Sequence, residues 1–391
     1  MKYYKYVVLG GGIAALSAVK AIRERDRTSV ILMISSEAVP CYSRPMLTKI
    51  PLPHYDVRNT FIEPVSWYEN NGIDLLLSTD VISLDTSSGS VVTDNGSFHY
   101  EKCIYALGAY NFIPPFKGKD LRNVFSLRTD RDLMAIRRGA LKAEHAAIIG
   151  GGVIGLEAAF MLKDEGLDVT VIETAPFLMP RLLDEESSRY LQNRLNGINV
   201  ITGAKVLGFS GSEVPRSVEL EGADPVPAQL ILISCGVRAN TSIAANAGVS
   251  IGRAIIVDDH MRTNIPGIFA CGDCAEFNGM NTALWTQAVA EGQVAGANAA
   301  GGDEVYRGSD MALMLEAPSF SLYSDGDMGK KPGVSYTQTC TYGKLEPRFS
   351  INRKPEDLYE RDFFIDGKMV GTFMLGNLRD MKKRKKEIFG Q

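Results

Sequence analysis

Four clusters in this 391-residue chain have the residue types and spacing to do chemistry. Gly10-x-Gly12, followed by Ala14 and Ala15, fits the G-x-G-x-x-G/A pattern, and so does Gly150-x-Gly152-x-Ile154-Gly155. Glycines at such a turn let backbone approach a pyrophosphate, and the helix that follows aims free N–H groups and a partial positive charge at it. Beyond each turn an apolar strand closes on a carboxylate, Glu37 and Glu173, where ribose hydroxyls are taken. A carboxylate there bonds a 2′-hydroxyl and repels a 2′-phosphate, so Glu173 predicts NADH rather than NADPH. Two such turns imply two dinucleotides, and the chemistry that needs two is hydride transfer from a nicotinamide to a flavin. The third cluster is "PCYSRPMLTK", residues 40–49, with Cys41, Arg44 and Lys49 close together. The fourth is "CGDC", Cys271 to Cys274, a C-x-x-C spacing that can signal a redox dithiol.

The elements that must position these groups repeat. "KYVVLGGGIAALSAVKAI" reads as strand, turn and helix, and "TSVILMIS" as a second strand; "EHAAIIGGGVIGLEAAFMLKDEG" followed by "LDVTVIE" restates the same grammar. Strand-like pieces lie between the repeats ("VISLDT", "SVVTDN", "KCIYALGA") and after them ("SVELEG", "AQLILISCG", "GIFACGDCAEF"). A helix is expected from about Leu284 and Trp285 through "ALWTQAVAEGQVAGANAAGG". From about Val305 the character changes. "RDFFIDGKMVGTFMLGN" alternates as a hairpin with Asp366-Gly367 at the turn, a pair that favours type I′, and "LRDMKKRKKEIF" closes as a short basic helix.

Composition is that of an ordinary globular chain: 45% hydrophobic, 23% charged, formal net charge −4. The charge gives no reason to expect nucleic acid or an anionic membrane surface, and no apolar run reaches membrane length. The N-terminus reads as a strand rather than a signal peptide, because the glycine cluster interrupts the apolar run and no small-residue cleavage site follows. Six cysteines scattered through the chain, Cys41, Cys103, Cys235, Cys271, Cys274 and Cys340, point to reduced thiols and a cytoplasmic location.

"TNIPGIFACGDCAE" carries a T-x-x-P-x-I-[FY]-A-x-G-D arrangement from Thr263 to Asp273. With the two glycine turns it makes the chain resemble the FAD-dependent pyridine nucleotide oxidoreductases. The resemblance covers residues 5 to about 300 in the family's order. It implies an α/β fold with two Rossmann-like dinucleotide-binding domains, glutathione-reductase-like, plus a small α+β C-terminal domain. The FAD domain would be discontinuous, 1–110 and 238–305, with the NAD domain 111–237 inserted and 306–391 as the third.

By the same resemblance, Gly272 and Asp273 meet the flavin ribityl chain. "YALGA", with Ala106 and Gly108, and "SCGVRAN", with Gly236, look like the family's two crossings between domains. "YSRPMLTK" is similar to the rubredoxin-reductase and nitrite-reductase-flavoprotein branch, which implies Arg44 for flavin binding and Lys49 beside the flavin N5 edge. Glu157 in "IGLEAA" matches a glutamate that faces flavin and nicotinamide and can pair with that lysine. Arg128 matches a cofactor-contacting arginine, and Val81 a residue whose backbone touches adenine. A positive charge at Lys49, and the helix N-terminus at Leu284 and Trp285, would stabilise the negative charge that develops as the flavin takes hydride.

The resemblance also bears on the thiols. Disulfide reductases of the superfamily carry a C-x4-C pair and a histidine near the C-terminus; here Met46 stands where the second cysteine would, and no histidine follows His260. In oxidases and peroxidases of a sister branch the single reactive cysteine aligns with Arg44, three residues past Cys41. Cys41 keeps cationic neighbours, so a minor redox role stays open, but packing is the favoured reading, and both CGDC cysteines read as small residues in a tight turn. No metal-ligand cluster is evident in the sequence. The expected function is transfer of hydride from NADH to FAD and then of electrons to a small carrier such as rubredoxin or ferredoxin. The alternatives are an NADH oxidase or peroxidase working through Cys41, or the flavin subunit of a larger redox complex of the nitrite-reductase kind. Arg379, Lys382, Lys383, Arg384, Lys385 and Lys386 could steer an acidic carrier, or could be a solvated terminal helix. Oligomeric state is left open.

Overall fold

The computed structural model describes residues 2–308, 312–317, 320–345, 356–376 and 378–390. They form two compact units, Met1–Arg44 with Asp56–Tyr110 and Val237–Asp310, and Pro45–Tyr55 with Asn111–Gly236 and Met311–Gln391. The chain is α/β.

The first unit is built on a seven-stranded sheet. Its parallel part runs Ile73–Leu76, Ile31–Ile34, Lys2–Leu9, Gly96–Tyr105 and Ile268–Ala270. Leu9 pairs with Ile34 on one side and Tyr105 on the other, so the strand ends line up at one edge. Ile31, Leu32, Met33 and Ile34 are all fully buried, the continuous apolar run expected of a parallel strand covered on both faces. Helix Ile13–Arg25 covers one face, and helix Trp285–Ala299 packs against it. That packing is very close: a Cβ at Gly292 would fall on the Ala14 carbonyl oxygen, and one at Gly296 on that of Ala18. The small-residue pattern of "EGQVAGANAA" is therefore a helix–helix seam.

The second unit repeats the plan with a five-stranded parallel sheet in the order Ile198–Ile201, Asp168–Ile172, His145–Ile149, Leu230–Ile233, Val124–Phe125. Helix Val153–Asp164 follows the second glycine turn. The same unit holds a five-stranded antiparallel sheet, Leu313–Ala317, Phe320–Gly326, Lys368–Leu375, Glu356–Ile365 and Thr337–Leu345, in that spatial order. Asp366 and Gly367 both have positive φ, 49° and 77°, as the type I′ turn requires. Ion pairs and ring contacts hold this sheet to the rest of its unit. Arg361 reaches Asp184 at 3.1 Å and also Glu186, while the rings of Tyr190 and Tyr359 stack at 3.9 Å.

The basic helix Met381–Phe389 closes the chain. Arg384 does not face water with the lysines: its guanidinium lies 3.0 Å from Asp362, 3.4 Å from Glu360 and 3.3 Å from Glu387. Lys382, Lys383 and Lys386 are exposed. No helix among the described residues is long and apolar enough to cross a membrane.

Candidate active site

At the first glycine turn Gly10 has φ 127°, and a Cβ there would fall on the Ala106 carbonyl oxygen. Gly12, the N-cap of helix Ile13–Arg25, has open space on its Cβ side and offers no side-chain cap. The helix thus begins with its N–H groups uncapped by that residue beside an open cradle, the arrangement a pyrophosphate fills. Ala14 and Ala15 are buried at the start of that helix. Glu37, just past strand Ile31–Ile34, accepts from the Tyr42 hydroxyl at 2.7 Å and pairs with Arg44. A carboxylate has more acceptor positions than these two donors use, so ribose hydroxyls can share it.

Cys271 follows the strand Ile268–Ala270, and the turn Gly272–Cys274 brings Asp273 into the same unit. Gly272 has φ 75°, and its Cβ would come within 2.7 Å of the Ala14 side chain. Gly108 also lies in the left-handed region, φ 64°, while Ala106 is buried. Val81 opens strand Val81–Asp85, partly buried against the core. Helix Trp285–Ala299 starts with Leu284 as N-cap and no side-chain cap from it.

The second turn copies the first. Gly150 has φ 112°, and its Cβ would fall on the Ser234 carbonyl oxygen as that of Gly10 falls on Ala106. A Cβ at Gly155 would meet the Gly150 carbonyl oxygen, so helix and strand pack at glycine distance. Gly152 is open on its Cβ side, and Ile154 is exposed in the first turn of the helix. Glu173 accepts from Gly151 N–H at 2.7 Å and from Ala175 N–H at 2.8 Å, which holds its carboxylate against the loop. Arg128 precedes the Thr129–Asp132 capping box; its own N–H donates to Asp132 at 3.0 Å. Gly236 has φ 91°.

Lys49 and Glu157 both line a cavity of about 220 Å³ in the second unit, with Thr48, Phe160 and Glu316. Their expected pairing is not what the structure has. Thr48 Oγ1 donates to Glu157 at 2.5 Å, whereas Lys49 is exposed and makes no ion pair among the described residues. A short hydroxyl can meet a half-buried carboxylate without stripping water from an ammonium. Burial raises the Glu157 carboxyl above the usual range; the Thr48 bond and the Lys49 charge pull it down, and Glu316 adds to the rise. Arg44 belongs to the first unit and Lys49 to the second, so "PCYSRPMLTK" is divided between them.

Cys41 is 1% exposed, and burial pushes its thiol up to about 12 despite the nearby Arg44 and Lys20 charges. At neutral pH it carries no thiolate. Cys271 and Cys274 are fully buried and free, and burial raises both; the Cys274 thiol donates to the Cys271 carbonyl at 3.3 Å.

Several residues escaped the sequence reading. Thr48 sits beside Lys49, but nothing local marks it as the partner of a side chain 109 positions away. Tyr42 lies within the YSRPMLTK stretch, and only the fold shows its hydroxyl donating to Glu37. Gly292 and Gly296 carry a readable Gly-x-x-x-Gly signal.

A family model described as pyridine nucleotide-disulphide oxidoreductase matches residues 4–292. The assimilatory nitrate reductase electron transfer subunit of Bacillus subtilis is 29% identical over 388 residues, 98% of this chain and 49% of that protein. The NADH-rubredoxin oxidoreductase of Clostridium acetobutylicum is 31% identical over 341 residues, 87% of this chain and 86% of the relative. Among solved structures, an NAD-dependent persulfide reductase from A. fulgidus superposes with a TM-score of 0.91 at 25% identity, over 98% of this chain and 76% of its own. The chain spans about half the length of the first curated relatives it matches, 49% and 45%.

Proposed function

Because the chain belongs to the pyridine nucleotide-disulphide oxidoreductase family, we propose that it moves hydride from NADH to FAD and passes the electrons to a small redox carrier. FAD and NAD(H) are the family's cofactors, and the residues here fit both: two uncapped helix starts, each behind a glycine whose Cβ would strike a backbone carbonyl, each with an acid after the next strand. That duplicated cradle is the observation that carries the reading. Bound FAD supplies a hydride acceptor that can give up electrons one or two at a time.

The chain's own residues bind and orient. Gly10, Gly12, Ala14, Ala15, Glu37, Arg44, Val81, Ala106, Gly108, Gly272 and Asp273 are assigned to FAD, with the helix start at Leu284 and Trp285. Gly150, Gly152, Ile154, Gly155, Glu173, Arg128 and Gly236 are assigned to NADH. Lys49 supplies positive charge, and Glu157, held by Thr48, a carboxyl at the same cavity. The three-domain division at 1–110 with 238–305, 111–237 and 306–391, and a cytoplasmic location, belong to the same proposal. Six free cysteines support the latter.

The buried, high-pKa Cys41 favours a carrier reductase over a cysteine-dependent oxidase or peroxidase. Cys41→Ser should keep NADH-driven turnover within about twofold of the parent, since it changes one buried atom. An acceptor panel of rubredoxin, ferredoxin, oxygen, peroxide and nitrite tests the reading; turnover abolished with every acceptor in Cys41→Ser would transfer the chemistry to the thiol. The half-length match to larger relatives supports a second arrangement, in which the chain serves as flavin subunit of a redox complex.

For the carrier, we place an acidic partner against the exposed lysines of the C-terminal helix. Reversing Lys382, Lys383 and Lys386 to glutamate should slow reduction of an acidic carrier about tenfold at low salt, with the difference shrinking as salt rises, and leave flavin reduction by NADH unchanged. Stopped-flow rates at two ionic strengths check it; equal rates for parent and variant at low salt would remove the helix from docking.

A further inference from the structure

Helix Trp285–Ala299 carries a carboxylate that the assignments above leave unused. Glu291 is fully buried, in the seam where Gly292 lets helix Ile13–Arg25 approach. It makes no ion pair among the described residues; the two groups that donate to it are neutral, and the Asp273 charge nearby adds to the rise of its carboxyl. Gly272 N–H donates to Oε2 at 2.8 Å, and Gln287 Nε2 donates to Oε1 at 2.6 Å. Gln287 is fixed in turn by the Thr282 hydroxyl. Burial pushes the Glu291 carboxyl up to about 7, so the fold bears a cost for this group. A seam made only for close packing would be served by alanine, the residue used at buried Ala288, Ala295 and Ala299 of the same helix.

What the carboxylate meets is the turn that presents Asp273. Gly272 is buried, holds φ 75°, and is pressed against Ala14 so closely that no side chain fits. Without Glu291 its N–H would be buried with no acceptor, which is costly. The donor precedes Asp273 by one residue, so the bond fixes the Cys271–Gly272 peptide, one peptide before the one that leads into Asp273. Glu291 therefore ties the 272–274 turn to the last helix of the unit through one pair of oxygens, beside the seam that helix makes with the first helix of the FAD cradle.

We propose that Glu291 is a positioning residue for FAD: from inside the core it fixes the Gly272 N–H and so holds Asp273 in place for the cofactor. The proposal rests on the reading of Asp273 as a ribityl ligand. Both groups aimed at Glu291 are donors, which suits a carboxyl whose two oxygens accept from them. Glutamine can replace it, accepting from Gly272 through Oε1 and donating to Gln287 once that amide turns over. Aspartate keeps the charge and falls short by one methylene; leucine removes the acceptor.

The test is FAD affinity of the full chain, stripped of flavin and titrated with FAD, in E291Q, E291L, E291D and D273A. NADH affinity measured on the same samples checks that the second unit is intact. E291L should weaken FAD binding about 10- to 100-fold and shift the visible flavin spectrum, E291D should weaken it at least about fivefold, and E291Q should stay within about threefold, all with NADH affinity unchanged. FAD bound as in the parent by E291L, or by E291D should E291L not fold, overturns the proposal provided D273A loses FAD. Loss of FAD by E291Q as severe as by E291L also overturns it, because the amide keeps the bond. If D273A itself retains FAD, the ribityl reading fails and the proposal falls with it.

Discussion

Replacing Gly10 with valine abolishes FAD binding and leaves NADH binding within about twofold. Gly10 lies at φ 127°, where side chains other than glycine's are strained by about 1–3 kcal/mol. Any Cβ there would also fall on the Ala106 carbonyl oxygen, which is backbone just past the neighbouring parallel strand, tied to Leu9 by its own N–H, and cannot swing aside. The turn must open or the strand must shift, and either spoils the uncapped start of helix Ile13–Arg25 where a pyrophosphate would sit. Strain and clash together exceed about 3 kcal/mol, more than two orders of magnitude in affinity. The second turn lies in the other compact unit and keeps its own Gly150. FAD content after purification and an NADH fluorescence titration read both effects; a Gly10→Val protein that purifies with full FAD would contradict the cradle.

The second large effect is on nucleotide choice. Glu173→Gln should cut the preference for NADH over NADPH about 10- to 100-fold, judged from the second-order rate of flavin reduction. Glu173 is held by N–H groups of Gly151 and Ala175, at 2.7 and 2.8 Å, so its charge cannot swing away from a 2′-phosphate. A charge pair about 4 Å apart near a protein surface interacts by up to about 4 kcal/mol, and solvent leaves part of that. Glutamine keeps the volume and one acceptor while removing the charge. The parent should favour NADH, and an unchanged ratio in the variant would take specificity away from Glu173.

Both expectations come from parts of the molecule that sequence made legible, and the reason is locality. A glycine turn, its helix and the acid closing the next strand sit within about thirty residues. The Asp366-Gly367 turn is readable for the same reason, since two adjacent residues set its type. What sequence did not show depends on distant partners. The family resemblance made Lys49 a mate for Glu157, yet the Thr48 hydroxyl holds that carboxylate across 109 residues. Arg384 looked like one more cation in a basic run, but it is turned onto Asp362 and Glu360 of the adjacent sheet. Glu291 was hidden by the ordinary rule that glutamates face water; only the fold shows it enclosed. The cysteines were ambiguous in sequence for the opposite reason. The C-x-x-C spacing and the cations near Cys41 were visible, and burial, which decides thiol reactivity, was not.

Two cradles in one chain have a purpose if a nicotinamide held in one reduces a flavin held in the other. The direct measurement is an anaerobic titration of the FAD-loaded protein with NADH, followed through the visible flavin absorption. The absorption should bleach, with an end point near one NADH per flavin, and recover when an electron acceptor is added. An absorption spectrum left unbleached by excess NADH, in protein shown to bind both nucleotides, would contradict it.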